Sequence, residues 1–353
     1  KSPLKMRQVV IKELKEMKER YADSRRTQII HLAEGEEASQ LLTQTDVMPM
    51  ESVWVEVNEA GRISRTDSDQ TNRLGGTDAP WIMVRTNSHQ TVYLVTTSGK
   101  AAAIHSLSIP VAKNGDGGTK AYKIAPLAEN DDIQAVFGLP INREEGPDYY
   151  VVTVSRNGII KRSSIQDLPG AAASSFTLVK TNESDEIFEV LITKGGQDIL
   201  LTTANGMSIR FNEDEVRSMG LASVGVNAIK LKAGDFVVGA SILGEKDEVG
   251  LISTEGLAKR ISAEDFPVQG RYGQGVISWR LSGNDQIAAQ MVGKLTDKGI
   301  CHFTKQAAKV FTITNAASRK RASNGQSLFG LKPGDAVIGF TPLEDYTAYW
   351  EEK

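Results

Sequence analysis

Apolar and polar positions change rhythm twice along the chain. Leu4, Ile11, Leu14 and Met17 recur at spacings of three and seven residues, with Lys and Glu between them. Neither Gly nor Pro interrupts the stretch from Leu4 to Arg25. That pattern predicts a helix over 4–23 with one apolar stripe. Residues 31–49 lose the period, turn polar and partly acidic (Glu34, Glu36, Glu37), and read as a linker. From 50 to 345 the pattern becomes short apolar runs of strand length, broken by turns. Residues 346–353 read as a tail.

The strand-rich stretch repeats. A Leu, a short spacer and an Asp precede an apolar strand at Leu231–Asp235, Leu281–Asp285 and Leu331–Asp335, fifty residues apart each time. Weaker copies end at Asp131 and Asp185. In phase with this mark, an apolar strand ending in Thr or Ser turns and returns with a basic residue. The turns fall at Gly61, Gly99, Gly158, Gly206, Gly256 and, in the last copy, Gln306. Asn157-Gly158 and Asn205-Gly206 between apolar runs predict hairpins of type I′, with positive φ at both central residues. Six such units at a period near fifty predict an all-β, six-bladed ring, each blade burying its faces against its neighbours. A linear solenoid is the alternative. Irregular early spacings place loop insertions around 111–118 and 139–148.

Composition narrows the class. The chain has 353 residues, of which 32 are Gly and one is Cys. One cysteine excludes a disulfide framework and points to a reducing cytoplasm. No apolar run approaches the roughly 20 residues of a membrane span. The formal net charge of -3 argues against a nucleic-acid partner unless the cations are segregated.

Segregation is what the repeats suggest. Basic residues recur after the hairpin turns: Arg62 and Arg65, Lys100, Lys161 and Arg162, Arg210, Lys259 and Arg260, and Lys309. Equivalent positions in equivalent blades fall on one rim, where cations would neutralise phosphates of a bent polyanion. The competing reading is of ordinary strand-edge charges that prevent edge pairing. Between the hairpin and the Leu–Asp mark lies a Gly/Arg loop. It carries Arg271 and Gln274 in the fifth unit and Arg319, Lys320 and Arg321 in the sixth. In the first unit it runs Asn72, Arg73, Leu74, Gly75, Gly76, Thr77, Asp78. Glycine lets backbone N–H groups approach phosphate, and arginine forks onto its oxygens. In the fourth unit Leu221 stands where the Arg would fall.

Catalytic readings find no support. His31, His89, His105 and His302 lack metal-ligand spacing, and Cys301 and His302 alternate to opposite faces of a strand. Gly115–Lys120 mimics part of a phosphate loop without its spacing. The repeated aspartates read as turn formers. The kelch and WD-repeat marks of protein-binding propellers are missing, and no acid/base cluster suggests a propeller hydrolase.

Three segments carry a resemblance. Residues 205–220, Gly225-Val226 and 231–235 resemble the fourth blade of the C-terminal domain found in the A subunit of DNA gyrase, of the type IIA topoisomerase family. Residues 256–260 and 269–275 resemble its fifth blade, and 21–27 resemble the end of the last helix leaving the breakage-reunion core. The resemblance implies a six-bladed β-pinwheel that binds and bends duplex DNA around its rim, presenting a segment for strand passage. It implies that the nucleophilic tyrosine, the metal site and the ATPase lie outside this chain, so that ATP and Mg2+ serve other parts of the enzyme. The implied partners are duplex DNA, the rest of the A subunit, and the ATPase B subunit in a heterotetramer. The implied location is the bacterial cytoplasm, at the nucleoid and without a membrane. The family's box Gln-Arg-Arg-Gly-Gly-Lys-Gly survives at 72–78 only as one Arg and the Gly pair. Such degeneration is typical of topoisomerase IV, the second reading, in which chiral wrapping is lost.

Overall fold

The computed structural model describes residues 3–21, 49–70, 74–112, 117–141, 148–172 and 174–348. The chain divides into two units, 1–47 and 48–353. In the first, Pro3–Tyr21 is the predicted helix, and Leu4, Val9, Ile11, Leu14 and Met17 are exposed on it. Most of the linker, and most of the 21–27 segment, lie outside the described residues.

The second unit is a closed ring of six sheets. Each blade is a meander around one hairpin, such as Asp198–Thr203 with Met207–Asn212 in the fourth. The innermost strand of that blade is Val237–Ile242. Its outermost strand, Val276–Ile277, is contributed by the next repeat and pairs with Met207 and Ser208. The same exchange recurs around the ring. Thr119–Lys120 pairs with Arg62 and Ile63, Phe176–Thr177 with Lys100 and Ala101, Val226–Asn227 with Ile159 and Ile160, and Gln326–Ser327 with Leu257 and Ala258. Each repeat from the second to the sixth therefore leaves two residues on its predecessor's edge, crosses the disc, and returns as its own innermost strand. The expected six-bladed pinwheel is the observed fold.

Closure uses both ends of the unit. Gly76 and Ala308 exchange two backbone hydrogen bonds of 3.0 Å, so the first repeat supplies the outer edge of the sixth blade. Glu344–Asp345 runs parallel to Ile82–Asn87, so the last repeat supplies the inner edge of the first. Arg85 ties this seam to Asp69 at 2.6 Å and to Asp345 at 3.0 Å. Tyr346 and Thr347, expected in a tail, are buried here, because the chain is still covering the core.

The hairpins differ from the expected type I′. Asn157 and Asn205 keep negative φ, and only the glycines are left-handed, Gly158 at 75° and Gly206 at 82°. The Gly206 N–H donates to the Thr203 carbonyl, giving a three-residue loop ending in a left-handed glycine. The phased aspartates explain why. Asp235 accepts from the Asn205 N–H and the Thr203 hydroxyl, Asp285 from the Glu255 N–H, and Asp335 from the Lys305 N–H. Each carboxylate holds a hairpin's backbone in place, consistent with turn formation.

Candidate nucleic-acid interface

The basic residues after the hairpins separate into three groups. Lys161 and Lys259 are buried, at 1% and 0% exposure. The Lys161 ammonium donates to the Leu178 carbonyl at 2.5 Å. The Lys259 ammonium lies 5.0 Å from the Trp279 ring centroid and donates to the carbonyls of Ser278 (2.7 Å), Ser323 (2.9 Å) and Arg321. Burial lowers these lysines to about 8 and about 7, respectively. They fasten crossing segments to blades, and their expected place on a solvent-facing rim is corrected.

A second group consists of four arginines, each four residues after its hairpin glycine: Arg65, Arg162, Arg210 and Arg260. Each makes a parallel backbone bridge to the following repeat, at Val111, Ser218, Val268 and Ser318. Their side chains grip the short 3-10 turn of that repeat. Arg65 donates to the Ile109 carbonyl at 2.9 Å, Arg210 to the Phe266 carbonyl at 3.2 Å and Arg260 to the Ala316 carbonyl at 3.1 Å. Arg162 pairs with Asp214 at 2.6 Å and lies over the Tyr150 ring at 4.4 Å. Arg210 also pairs with Asp198 at 2.8 Å. Their regular spacing thus reflects blade-to-blade joinery, and on these contacts they are not free phosphate ligands.

Arg62, Lys100 and Lys309 form the third group and stay exposed. Arg62 also donates to the Gly118 carbonyl at 2.8 Å, Lys100 lies 3.8 Å from Asp131, and Lys309 donates to Gln306 at 2.9 Å.

The Gly/Arg loops are similarly mixed. Arg271 donates to the Asn227 carbonyl and Arg321, fifty residues on, to the Ile277 carbonyl at 3.4 Å, so both hold the outer strand of an earlier repeat. Leu221, at the same phase, packs instead on the apolar core. Gln274, Arg319 and Lys320 are exposed, Lys320 standing 3.5 Å from Asp265. Asn72 and Arg73 lie outside the described residues. Leu74 packs on the seam cluster around Met83 and Ile300, and Gly75–Asp78 run along the edge of the sixth blade. Gly115 and Asp116 also lie outside the described residues, while Thr119–Lys120 is an outer strand.

A different set of cations faces solvent in phase. Three residues beyond the outer strands stand Lys123, Lys180, Lys230 and Arg280, all exposed, the last three where the chain crosses a hairpin. Each is preceded by buried or half-buried residues that anchor the crossing: Ala121-Tyr122, Leu178-Val179, Ala228-Ile229 and Ser278-Trp279. The Ser278 N–H donates to the Gly206 carbonyl and the Ala228 N–H to the Gly158 carbonyl, each at 2.8 Å. With the bond from the Leu178 N–H to the Gly99 carbonyl at 3.0 Å, these fix where Lys180, Lys230 and Arg280 emerge, while Lys123 ends the 3-10 turn Ala121–Lys123. Gly330 takes the position in the last repeat. Sequence reasoning anchored on the hairpin glycines passes over this set. The fifty-residue spacing of Lys180, Lys230 and Arg280 is the signal that marks it.

The interior is unsuited to a polyanion. A central cavity of about 1500 Å³ is lined by inner-strand residues including Glu189, Gln290 and Glu344. Burial, and then the charge of Glu344, pushes Glu189 up to about 8, and burial raises Glu344 as well. Among the described residues no group of His, Cys, Asp and Glu could hold a metal ion. Cys301 packs in the core, its thiol pushed up by burial, while His302 points to the other face and stacks on Trp81 at 4.1 Å. No helix among the described residues is long and apolar enough to cross a membrane.

Residues 149–194, 197–243 and 247–290 match the family model described as DNA gyrase C-terminal domain, beta-propeller. Those spans are the third, fourth and fifth repeats. In those repeats the chain is similar to the gyrase A C-terminal domain. The motifs at 205–235 and 256–275 fall within them, so the resemblance read from sequence holds. The DNA gyrase A protein of Mycobacterium tuberculosis (strain ATCC 25618 / H37Rv) is 26% identical over 95% of this chain and 41% of its own length. That of Lawsonia intracellularis is 27% identical over 95% and 42%. The chain thus spans about two fifths of the curated relatives it matches. Among solved structures, the C-terminal domain of DNA topoisomerase IV superposes with a TM-score of 0.71 at 22% identity, covering 86% of this chain and 97% of the other. The DNA gyrase A C-terminal domain superposes with 0.68 at 17%, covering 83% and 100%. These two establish the fold.

Proposed function

We propose that this gyrase A-type ring binds duplex DNA along its outside and bends it, presenting a segment for passage by a type IIA topoisomerase. In that reading the chemistry, with its ATP and Mg2+, belongs to the rest of the A subunit, together with an ATPase B subunit, in the bacterial cytoplasm. The carrying observation is the phased set Lys123, Lys180, Lys230 and Arg280. All four are exposed, none has a side-chain partner among the described residues, and all stand at one position of successive repeats. Their spacing around a ring supplies phosphate contacts at intervals along a curved path, and such contacts carry affinity without reading sequence. The exposed Arg319 and Lys320 extend the set towards the sixth blade.

The test is the salt dependence of duplex binding. Each lost phosphate contact should make the log–log slope shallower by about 0.9. Replacing all four residues by Ala should therefore reduce it by roughly 3–4 and weaken binding to unrelated sequences alike. An unchanged slope would remove these residues from the interface.

The second reading, a topoisomerase IV-type domain that holds DNA without a chiral wrap, rests on the box at 72–78. It has lost one Arg and the Lys, and in its described part Gly76 bridges to Ala308 at the edge of the sixth blade. Ligating nicked circular DNA on the protein separates the two. A positive linking-number shift supports the gyrase-type wrap, and binding without a shift supports the alternative.

A further inference from the structure

Two non-glycine residues among those described have positive φ: Ala222 at 61° and Tyr272 at 66°. They are fifty residues apart and occupy the same place in successive Gly/Arg loops. For alanine the conformation is uncommon, and for a bulky side chain it is an outlier that persists only where the surroundings impose it. Here they do. The Tyr272 N–H donates to the Ala228 carbonyl at 2.7 Å, and the Lys230 N–H donates to the Gly273 carbonyl at 2.9 Å. The Arg271 N–H donates to Glu215 at 2.7 Å, and its guanidinium to the Asn227 carbonyl. The loop is therefore pinned from both sides onto the crossing segment that carries Lys230. Ala222 sits in the same frame, where the Lys180 N–H donates to the Ser223 carbonyl at 3.0 Å.

Glycine would suit position 272 best, and the loop already has glycine at 270, 273 and 275. Tyrosine stands there instead, with half of its surface open to solvent, at 50% exposure. Among the described residues its hydroxyl has no hydrogen-bond partner and its ring stacks on no other aromatic. A strained backbone thus presents a large flat side chain to solvent beside an exposed cation of the phased set. No hydrogen bond or aromatic contact of the side chain among the described residues accounts for a tyrosine at this strained position.

The geometry points to Tyr272 as a contact to duplex DNA, laying its ring against the sugar edges of the minor groove between the phosphates held at Lys230 and Arg280. The inference rests on the DNA-binding reading above. An uncharged ring pressed into the groove adds contact without releasing counterions, and side chains wedged there favour bending towards the major groove. The fourth and fifth repeats then differ in kind. The Ala222 loop only follows the backbone, whereas the Tyr272 loop grips the groove.

The whole chain and its Tyr272→Gly and Tyr272→Phe variants are compared for thermal midpoint and for affinity to one duplex across a salt series. Tyr272→Gly should raise the midpoint, since it relieves the left-handed strain. It should also weaken binding at least fivefold with an unchanged salt slope. Tyr272→Phe should bind within about twofold of the parent. Equal affinity of the parent and Tyr272→Gly would overturn the assignment, as would a lower midpoint in Tyr272→Gly, which would make the ring a structural part. A parent chain that binds no duplex would instead overturn the DNA-binding reading and this inference with it.

Discussion

A Cβ placed on Gly206 would lie 2.2 Å from the carbonyl oxygen of Trp279, seventy-three residues away in the chain. The contact exists because the next repeat crosses directly over this hairpin, with the Ser278 and Trp279 N–H groups donating to the Gly206 carbonyl. Glycine here answers two demands, a φ of 82° and a close backbone approach.

Substituting Gly206→Ala should therefore cost more than its dihedral angle alone. Gly234 provides the comparison, with a φ of 78° and nothing within 4 Å of an added Cβ. Gly234→Ala should lose about 1 kcal/mol and Gly206→Ala about 3 kcal/mol or more, as overpacking adds to conformational strain. Urea unfolding of both variants gives the difference. Equal losses would mean that the crossing segment yields freely.

Lys259→Met should destabilise the ring although it removes a buried charge. The ammonium satisfies the carbonyls of Ser278, Arg321 and Ser323, and a thioether would leave them unpaired. A loss of roughly 2–4 kcal/mol is expected, with faster amide exchange concentrated at 319–325. Lys100→Met, at an exposed position, should stay within about 0.5 kcal/mol of the parent. Uniform exchange in the Lys259 variant would argue against its role as a local fastener.

Acid should weaken the seam between the sixth and first blades. Burial lowers His302 from 6.5 to about 4. Its Nε2 lies 2.8 Å from the Thr341 hydroxyl, which in turn donates to the Trp81 carbonyl. Between pH 6.5 and 4 the unfolded chain takes up a proton that the native ring refuses, so this contribution to stability falls as pH falls. The loss should reach roughly 2–3 kcal/mol near pH 4. His302→Gln should flatten that part of the stability–pH curve, as followed by thermal unfolding. An unaltered curve would assign the acid sensitivity to other groups.

Much of the fold was legible because the repeat is long and strict. Asp235, Asp285 and Asp335 keep their spacing since each clamps a hairpin at the same place, and Gly99, Gly158, Gly206 and Gly256 keep theirs since each lies under a crossing chain. What the sequence concealed was which partner each residue meets. Arg210 and Lys230 look alike as charges on a strand-rich repeat. One grips the 3-10 turn at Ala263–Asp265 of the next repeat, and the other faces water. That difference is set by a strand exchanged between blades, a relation across some fifty residues that local pattern does not encode. Periodic cations were therefore a sound sign of a ring and a poor guide to its free surface. The turn type departs from local preference for a related reason: the Asp235 carboxylate, thirty residues distant, fixes the Asn205 backbone where local preference favours positive φ.

Closure at Gly76–Ala308 and Glu344–Asp345 has a geometric corollary for any path traced around the blades. A closed ring requires the small axial offsets between successive blades to cancel over one circuit. The blades themselves therefore carry no net rise over one circuit, because the last is joined to the first at both its outer and its inner edge. Only a parted seam lets the offsets accumulate into a helical rise. The seam held by Gly76–Ala308, by Glu344–Asp345 and by Arg85 is therefore the one place where parting would turn this stack of blades from a circle into a screw.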